Sequence, residues 1–187
     1  LDTDDDNFPH PAEWNSFLTN TEGSKSTNNS LQIVYRNIYS YFTSDDEPFW
    51  PRGFPLNELL NIDSNVNESN INSYARMASV AVWQGLVDND PDIDAIHRLV
   101  FKESPRFLKK GHLVLGKNNL CPFNSQNTLW TVPTTFPLMY LPSTVSFRFT
   151  DILRGYVAQI ILHQFEYYVG FTEPSAWQER NPHALMK

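Results

Sequence analysis

The chain opens on Leu1-Asp2-Thr3-Asp4-Asp5-Asp6-Asn7, a run of carboxylates in which Asp4 and Asp6 flank Asp5. Side chains alternate along an extended segment, so Asp4 and Asp6 can face one divalent ion from the same side. Hard oxygen donors of this kind favour Mg²⁺ or Mn²⁺. An ion held with one side open can bridge a nucleotide diphosphate and neutralise charge on the leaving group. The competing reading of so short a pattern is a solvated acidic terminus. A calcium loop is a third, because Asp2, Asp4, Asp6 and Glu13 fall on its first, third, fifth and twelfth positions. Its other positions fail: Asn7 stands where the loop needs glycine, and Pro9 stands where it needs a β-forming residue.

Arg52 lies in Trp50-Pro51-Arg52-Gly53-Phe54-Pro55, where proline stiffens the backbone and Gly53 permits close approach. Its guanidinium could be held toward a phosphate, or could pack as a cation on Trp50 or Phe54. Asp151 stands between a candidate strand and a candidate helix, where a carboxylate can serve as general base or bind a substrate hydroxyl. The alternative is a helix cap paired to Arg154. Asp92 and Asp94 could form a second carboxylate pair, but after Pro91 they sit in a first helical turn, where acids stabilise the dipole, and helix capping is the preferred reading. His183, in Arg180-Asn181-Pro182-His183, is a candidate late metal ligand or an ordinary surface histidine. His97, His112 and His163 have no ligand spacing with one another, and the chain carries no glycine-rich phosphate loop, serine nucleophile elbow or H-E-x-x-H.

The elements that must position these groups are read from periodicity. The segment after Thr150 repeats Ile152, Leu153, Tyr156, Val157, Ile160, Ile161 and Phe165 at helical spacing, which predicts a core-packed helix capped by Thr150 or Asp151. Residues 77–86 form an apolar run suited to a buried strand, and a short helix is expected around Ile93, Ile96 and Leu99. Leu113-Val114-Leu115 is a candidate strand, and residues 143–149 alternate as a half-buried strand would. The segment 31–42 suits a helix by spacing and a strand by its β-branched and aromatic content. Pro122, Pro133, Pro137 and Pro142 make 121–142 irregular, while 19–30 and 61–73 are polar loops. Strands alternating with helices give an α/β protein whose loops carry the chemistry.

The 187 residues suit one domain, and 41% hydrophobic with 14% aromatic content can build a core. A net charge of -7 without a basic cluster argues against nucleic acid as a partner. No run approaches the roughly 18 apolar residues that would span a bilayer. Cys121 is the one cysteine, which excludes an internal disulfide framework. Asn28-Asn29-Ser30 and Asn67-Glu68-Ser69 match the glycosylation sequon and fall in the two polar loops.

Several motifs together resemble the STELLO-type family of glycosyltransferases. They are Asp4-Asp5-Asp6-Asn7, Trp50-Pro51-Arg52-Gly53-Phe54-Pro55-Leu56, Asp90-Pro91-Asp92-Ile93-Asp94-Ala95 and Cys121-Pro122-Phe123-Asn124-Ser125-Gln126-Asn127-Thr128. Phe149-Thr150-Asp151-Ile152-Leu153-Arg154-Gly155-Tyr156 and Gln178-Glu179-Arg180-Asn181-Pro182-His183 complete the pattern in order. A more distant similarity connects the acid triplet, the Arg-Gly-aromatic-Pro loop and the Pro-Asp-x-Asp-Ala segment with the reversibly glycosylated polypeptides, the UDP-arabinose mutases. The resemblance implies the C-terminal part of a GT-A-like fold that starts at the acid (DxD-like) motif, residues 1–187 being one domain and a fragment of a larger one. It implies Asp4 and Asp6 as metal ligands for Mn²⁺ or Mg²⁺ with Asp5 beside them at the donor, Arg52 at the sugar diphosphate, and Asp151 on the acceptor side. The implied substrates are a UDP-sugar donor and a glycan or protein acceptor. The implied setting is the Golgi lumen, as part of a type II membrane protein beside a polysaccharide synthase complex. A non-catalytic scaffold of such a complex is the alternative that the same resemblance leaves open.

Overall fold

The structure is a computed structural model that describes residues 33–44, 48–60, 79–101 and 104–179. The acid run with Asp4, Asp5 and Asp6, both sequons and His183 lie outside the described residues.

The centre is a mixed four-stranded sheet. In chain order its strands are β2 (Ser79–Asn89), β3 (His112–Val114), β5 (Thr128–Trp130) and β6 (Tyr167–Gln178), arranged β3-β6-β2-β5. β2 and β6 run parallel, and the short β3 and β5 close the edges antiparallel. A strand covered on both faces has no polar side to show, and β2 accordingly buries Ala81, Val82, Leu86 and Val87 on both sides of its pleat. A second, two-stranded parallel ladder joins β1 (Val34–Tyr35) to β4 (Asn119–Leu120). Among the described residues three α-helices complete the set: α1 (Ile38–Phe42), α2 (Ala95–Val100) and α3 (Thr150–Gln164). The α3 helix packs Ala158 and Leu162 with Val82, Val169, Phe171, Phe123 and Phe42 in the main core. Its opposite side presents Ile152 and Tyr156 to Tyr35, Trp50, Phe54 and Leu120.

The 31–42 segment is both of the things its composition allowed, a strand at Val34–Tyr35 and then a helix at Ile38–Phe42. Asn37 makes the switch: its side-chain oxygen accepts from the Tyr39 N–H at 3.2 Å, and its amide donates to the Phe49 carbonyl at 2.8 Å. The 121–142 stretch is irregular as read, though β5 and a 3₁₀ turn at Pro133–Met139 lie within it.

Three expectations are corrected. Residues 143–149 are not a strand: the Phe149 N–H turns back to the Ser146 carbonyl at 3.0 Å, and Phe147 is 91% exposed with no strand among the described residues paired to it. The α3 helix is not capped by Thr150 or Asp151. Its cap position is Phe149, the Thr150 hydroxyl donates to the Phe147 carbonyl at 3.1 Å, and Asp151 is drawn to Arg52 instead of pairing with Arg154. Asp92 is not in a first helical turn, because α2 begins only at Ala95, with Asp94 as its cap accepting from the Ile96 N–H at 2.9 Å.

Candidate functional site

The site begins with a loop forced against a chain segment. Pro51 and Ile93 form an isolated antiparallel bridge, and the Arg52 N–H donates to the Asp92 carbonyl at 3.0 Å. Gly53, at φ +80°, turns the chain away beneath α3, where the Tyr156 hydroxyl donates to its carbonyl at 3.1 Å. A Cβ at Gly53 would stand 2.5 Å from Ile152 Cγ2, so glycine is needed there for space as well as for backbone.

Arg52 therefore reaches two carboxylates from sequence-distant segments. Its Nε lies 3.0 Å from both Asp92 oxygens, and its Nη2 lies 3.2 and 3.0 Å from the two oxygens of Asp151. Nη1 donates to the Arg148 carbonyl. Burial alone would lower the Arg52 pKa, but Asp92 and Asp151 outweigh it and lift it above its ordinary value. One guanidinium facing two carboxylates leaves a formal surplus of one negative charge, so Arg52 as it stands is not a vacant cation. The alternative of packing on Trp50 or Phe54 is not what the structure shows, since the arginine stacked on rings is Arg154.

The loop after β4 supplies the third wall. The Asn124 amide donates to Asp92 Oδ2 at 2.7 Å, and the Ser125 N–H donates to Asp151 Oδ2 at 3.3 Å. This loop is held from below by polar side chains on regular elements. Gln84 of β2 accepts from the Asn124 N–H at 3.1 Å and from the Thr128 hydroxyl at 3.0 Å. Gln159 of α3 accepts from the Cys121 N–H at 3.1 Å and donates to the Cys121 carbonyl at 2.7 Å. Gly155 lets the loop touch the helix, for a Cβ there would stand 2.4 Å from the Phe123 carbonyl. Arg154 lies over Phe123 and Trp130, its guanidinium carbon 5.3 and 5.6 Å from the ring centroids, and donates to Ser125 Oγ at 2.8 Å. Burial lowers its pKa, and the charge of Asp151 opposes that shift. A small recess lies on the sheet side of this loop and is lined in part by Pro51, Gln84, Asn124 and Gln126.

Of the residues singled out from sequence, the structure thus brings Arg52 and Asp151 together. Asp4, Asp5 and Asp6 lie outside the described residues, so their distance from this pair is not part of the geometry. Among the described residues no group of three or more His, Cys, Asp or Glu side chains is placed to hold a metal ion. Asp92 and Asp151 are engaged by Arg52 rather than open to a cation. His97 is not a ligand either: it is fully buried, stacked 4.7 Å from Phe101 and 4.6 Å from Phe49. Among the described residues no helix is long and apolar enough to cross a membrane.

Sequence reasoning missed Asp92 as a member of the cluster, and missed Asn124, Ser125 and the two glutamines that support their loop. The string Cys121-Pro122-Phe123-Asn124-Ser125 stood out as a motif, but no spacing rule connects it to Arg52.

The fold and site define a mixed α/β protein with an arginine-bridged carboxylate pair at the start of its main helix. Such an arrangement is compatible with several chemistries, and the relatives narrow it. Over 148 residues, 74% of the chain, it is 32% identical to Probable glycosyltransferase STELLO1 of Arabidopsis thaliana. Over 147 residues it is 31% identical to Probable glycosyltransferase STELLO2 of the same plant. The chain is homologous to the STELLO proteins, and the resemblance carried by its motifs holds over about three quarters of its length. It spans 18% of the length of each of these relatives. No family model matches the chain.

Proposed function

We propose that the chain is part of a metal-dependent glycosyltransferase of GT-A-like fold that uses a nucleotide-sugar donor, a UDP-sugar. The observation that carries this reading is the homology to two proteins named as probable glycosyltransferases. The mixed sheet, with its polar cluster at loops and a helix start, is compatible with such a fold.

In this reading Asp4 and Asp6 would hold Mn²⁺ or Mg²⁺, with Asp5 beside them at the donor, and the ion would supply charge neutralisation for the departing UDP. Asp151 takes the proton of the acceptor hydroxyl as that oxygen attacks the sugar. Arg52 keeps the Asp151 carboxylate oriented at 3.0 Å, and the Ser125 N–H steadies it from the other side. For Arg52 also to contact the sugar diphosphate, as its motif implies, its Nη2 must exchange Asp151 for the donor. The protein belongs, on this proposal, to the Golgi lumen as part of a type II membrane protein, with a glycan or protein acceptor.

One observation favours a second reading. The Arg52, Asp92 and Asp151 cluster is satisfied internally, as a structural ion-pair network would be, and a non-catalytic scaffold of a glycan synthesis complex would keep it for that reason. Asp4→Ala with Asp6→Ala separates the two. The transferase reading expects Mn²⁺-dependent UDP binding, read as a thermal shift, to disappear in the double variant. Absence of any shift in the folded wild-type protein sinks it in favour of the scaffold.

A further inference from the structure

The second arginine of the site has no acid of its own. Arg154 is 6% exposed, yet no carboxylate lies within ion-pair distance of it among the described residues. Its Nε and Nη2 donate only to neutral acceptors: the Asp151 carbonyl at 3.4 Å, the Asn124 carbonyl at 3.5 Å and Ser125 Oγ at 2.8 Å. Two of these contacts are long, and Nη1 makes no hydrogen bond to the described residues. Rings of Phe123 and Trp130 back the guanidinium. The exposed Ser125 forms the rim on the open side.

A buried charge without a hydrogen-bonded counterion is costly, and a guanidinium held over two rings, with Nη1 unused and Nη2 on a hydroxyl at the rim, is placed to take an oxyanion. Arg52, the arginine that the sequence nominated for a phosphate, is already neutralised twice over. We infer that Arg154, with the Ser125 hydroxyl at its rim, is the cation of this site that binds a phosphate oxyanion. The identification of that phosphate as the donor's diphosphate rests on the function proposed above; the anion site itself does not. Asp151, one turn earlier on the same helix, would then stand beside the phosphate with its own charge held back by Arg52.

The test is calorimetric titration of inorganic pyrophosphate, without metal, into the full chain and its variants. Wild-type protein should bind saturably, and Arg154→Gln should weaken binding about tenfold or more, with Arg154→Lys between them. Ser125→Asp gives a second route should Arg154→Gln fail to fold, because the new carboxylate would occupy the guanidinium and exclude pyrophosphate while retaining the cation. No binding by wild type, or unchanged binding by either folded variant, overturns the site. UDP with Mn²⁺ distinguishes the two proposals. Pyrophosphate binding lost in Arg154→Gln, with no UDP binding by wild type, keeps the anion site and removes the donor reading. UDP binding by wild type that Arg154→Gln leaves unchanged keeps the donor reading and overturns the identification of the phosphate as the donor's diphosphate.

Discussion

Two irregular stretches of this chain behave in opposite ways. Residues 121–127 have almost no regular structure, yet Cys121, Phe123 and Asn124 are buried, and the loop presents Asn124 and Ser125 to the carboxylates of the site. Residues 140–149 are equally irregular, but Tyr140 is 75% exposed and Phe147 91% exposed. The difference lies in what satisfies the backbone. Gln84 and Gln159 reach from β2 and α3 into the first stretch and bond its N–H and carbonyl groups, which lets it be buried. The backbone of the second stretch turns on itself, as where the Phe149 N–H meets the Ser146 carbonyl, apart from the Arg148 carbonyl that accepts from Arg52, and it stays at the surface. Irregular backbone becomes a precise platform only where side chains of regular elements take over the role of a ladder.

That comparison orders the expected effects of substitution. Arg52→Ala should be the most damaging, because it leaves the buried Asp92 and the partly buried Asp151 without their cation; a loss of about 3 to 5 kcal/mol in chemical denaturation is expected. Gln159→Leu removes both partners of the Cys121 backbone and should cost about 1 to 3 kcal/mol by the same measurement. Should Gln159→Leu prove neutral, the claim that glutamines hold the platform is wrong. Phe147→Ser, at the exposed stretch, should stay within about 0.5 kcal/mol of wild type. A larger loss would mean that this stretch is packed in a way its exposure does not suggest.

Acid should act on two buried histidines, His97 and His163. Burial, with Lys117 nearby, lowers the His163 pKa to about 4 from its ordinary 6.5, and burial with Arg98 lowers that of His97. Both rings bind protons more readily when unfolded. Stability contributed by their neutral forms is therefore present above about pH 6.5 and lost as pH falls toward 4. A His163→Gln protein should show a flatter stability profile across that window.

The long helix and the central strand were legible because each carries a local signal: the helical period of Ile152, Tyr156 and Ile160 in one, the apolar run through Val80, Ala81 and Val82 in the other. Strand β6 was not, although it pairs with both β2 and β3. Its Glu173-Pro174-Ser175 segment bulges out where the register jumps from Thr172 opposite Gly85 to Ala176 opposite Val87, which hides the alternation. At the site, Arg52 and Asp151 were nominated from local context alone. Asp92 was misread because Pro91 before an acid resembles a helix start, and the partner that claims it stands 40 residues earlier in the chain. No periodicity encodes a contact of that separation.

The central claim is that Asp151 is a working group and not merely one arm of an ion-pair network. Turnover of UDP-sugar donors by the purified protein, wild type against Asp151→Asn, tests it most directly, with the melting temperature of each recorded alongside. The account expects transfer to fall by about 10²-fold or more while the fold survives, since the amide can still accept from Arg52 and Ser125 but cannot take a proton. Turnover that persists in Asp151→Asn, or an effect confined to stability, would contradict it.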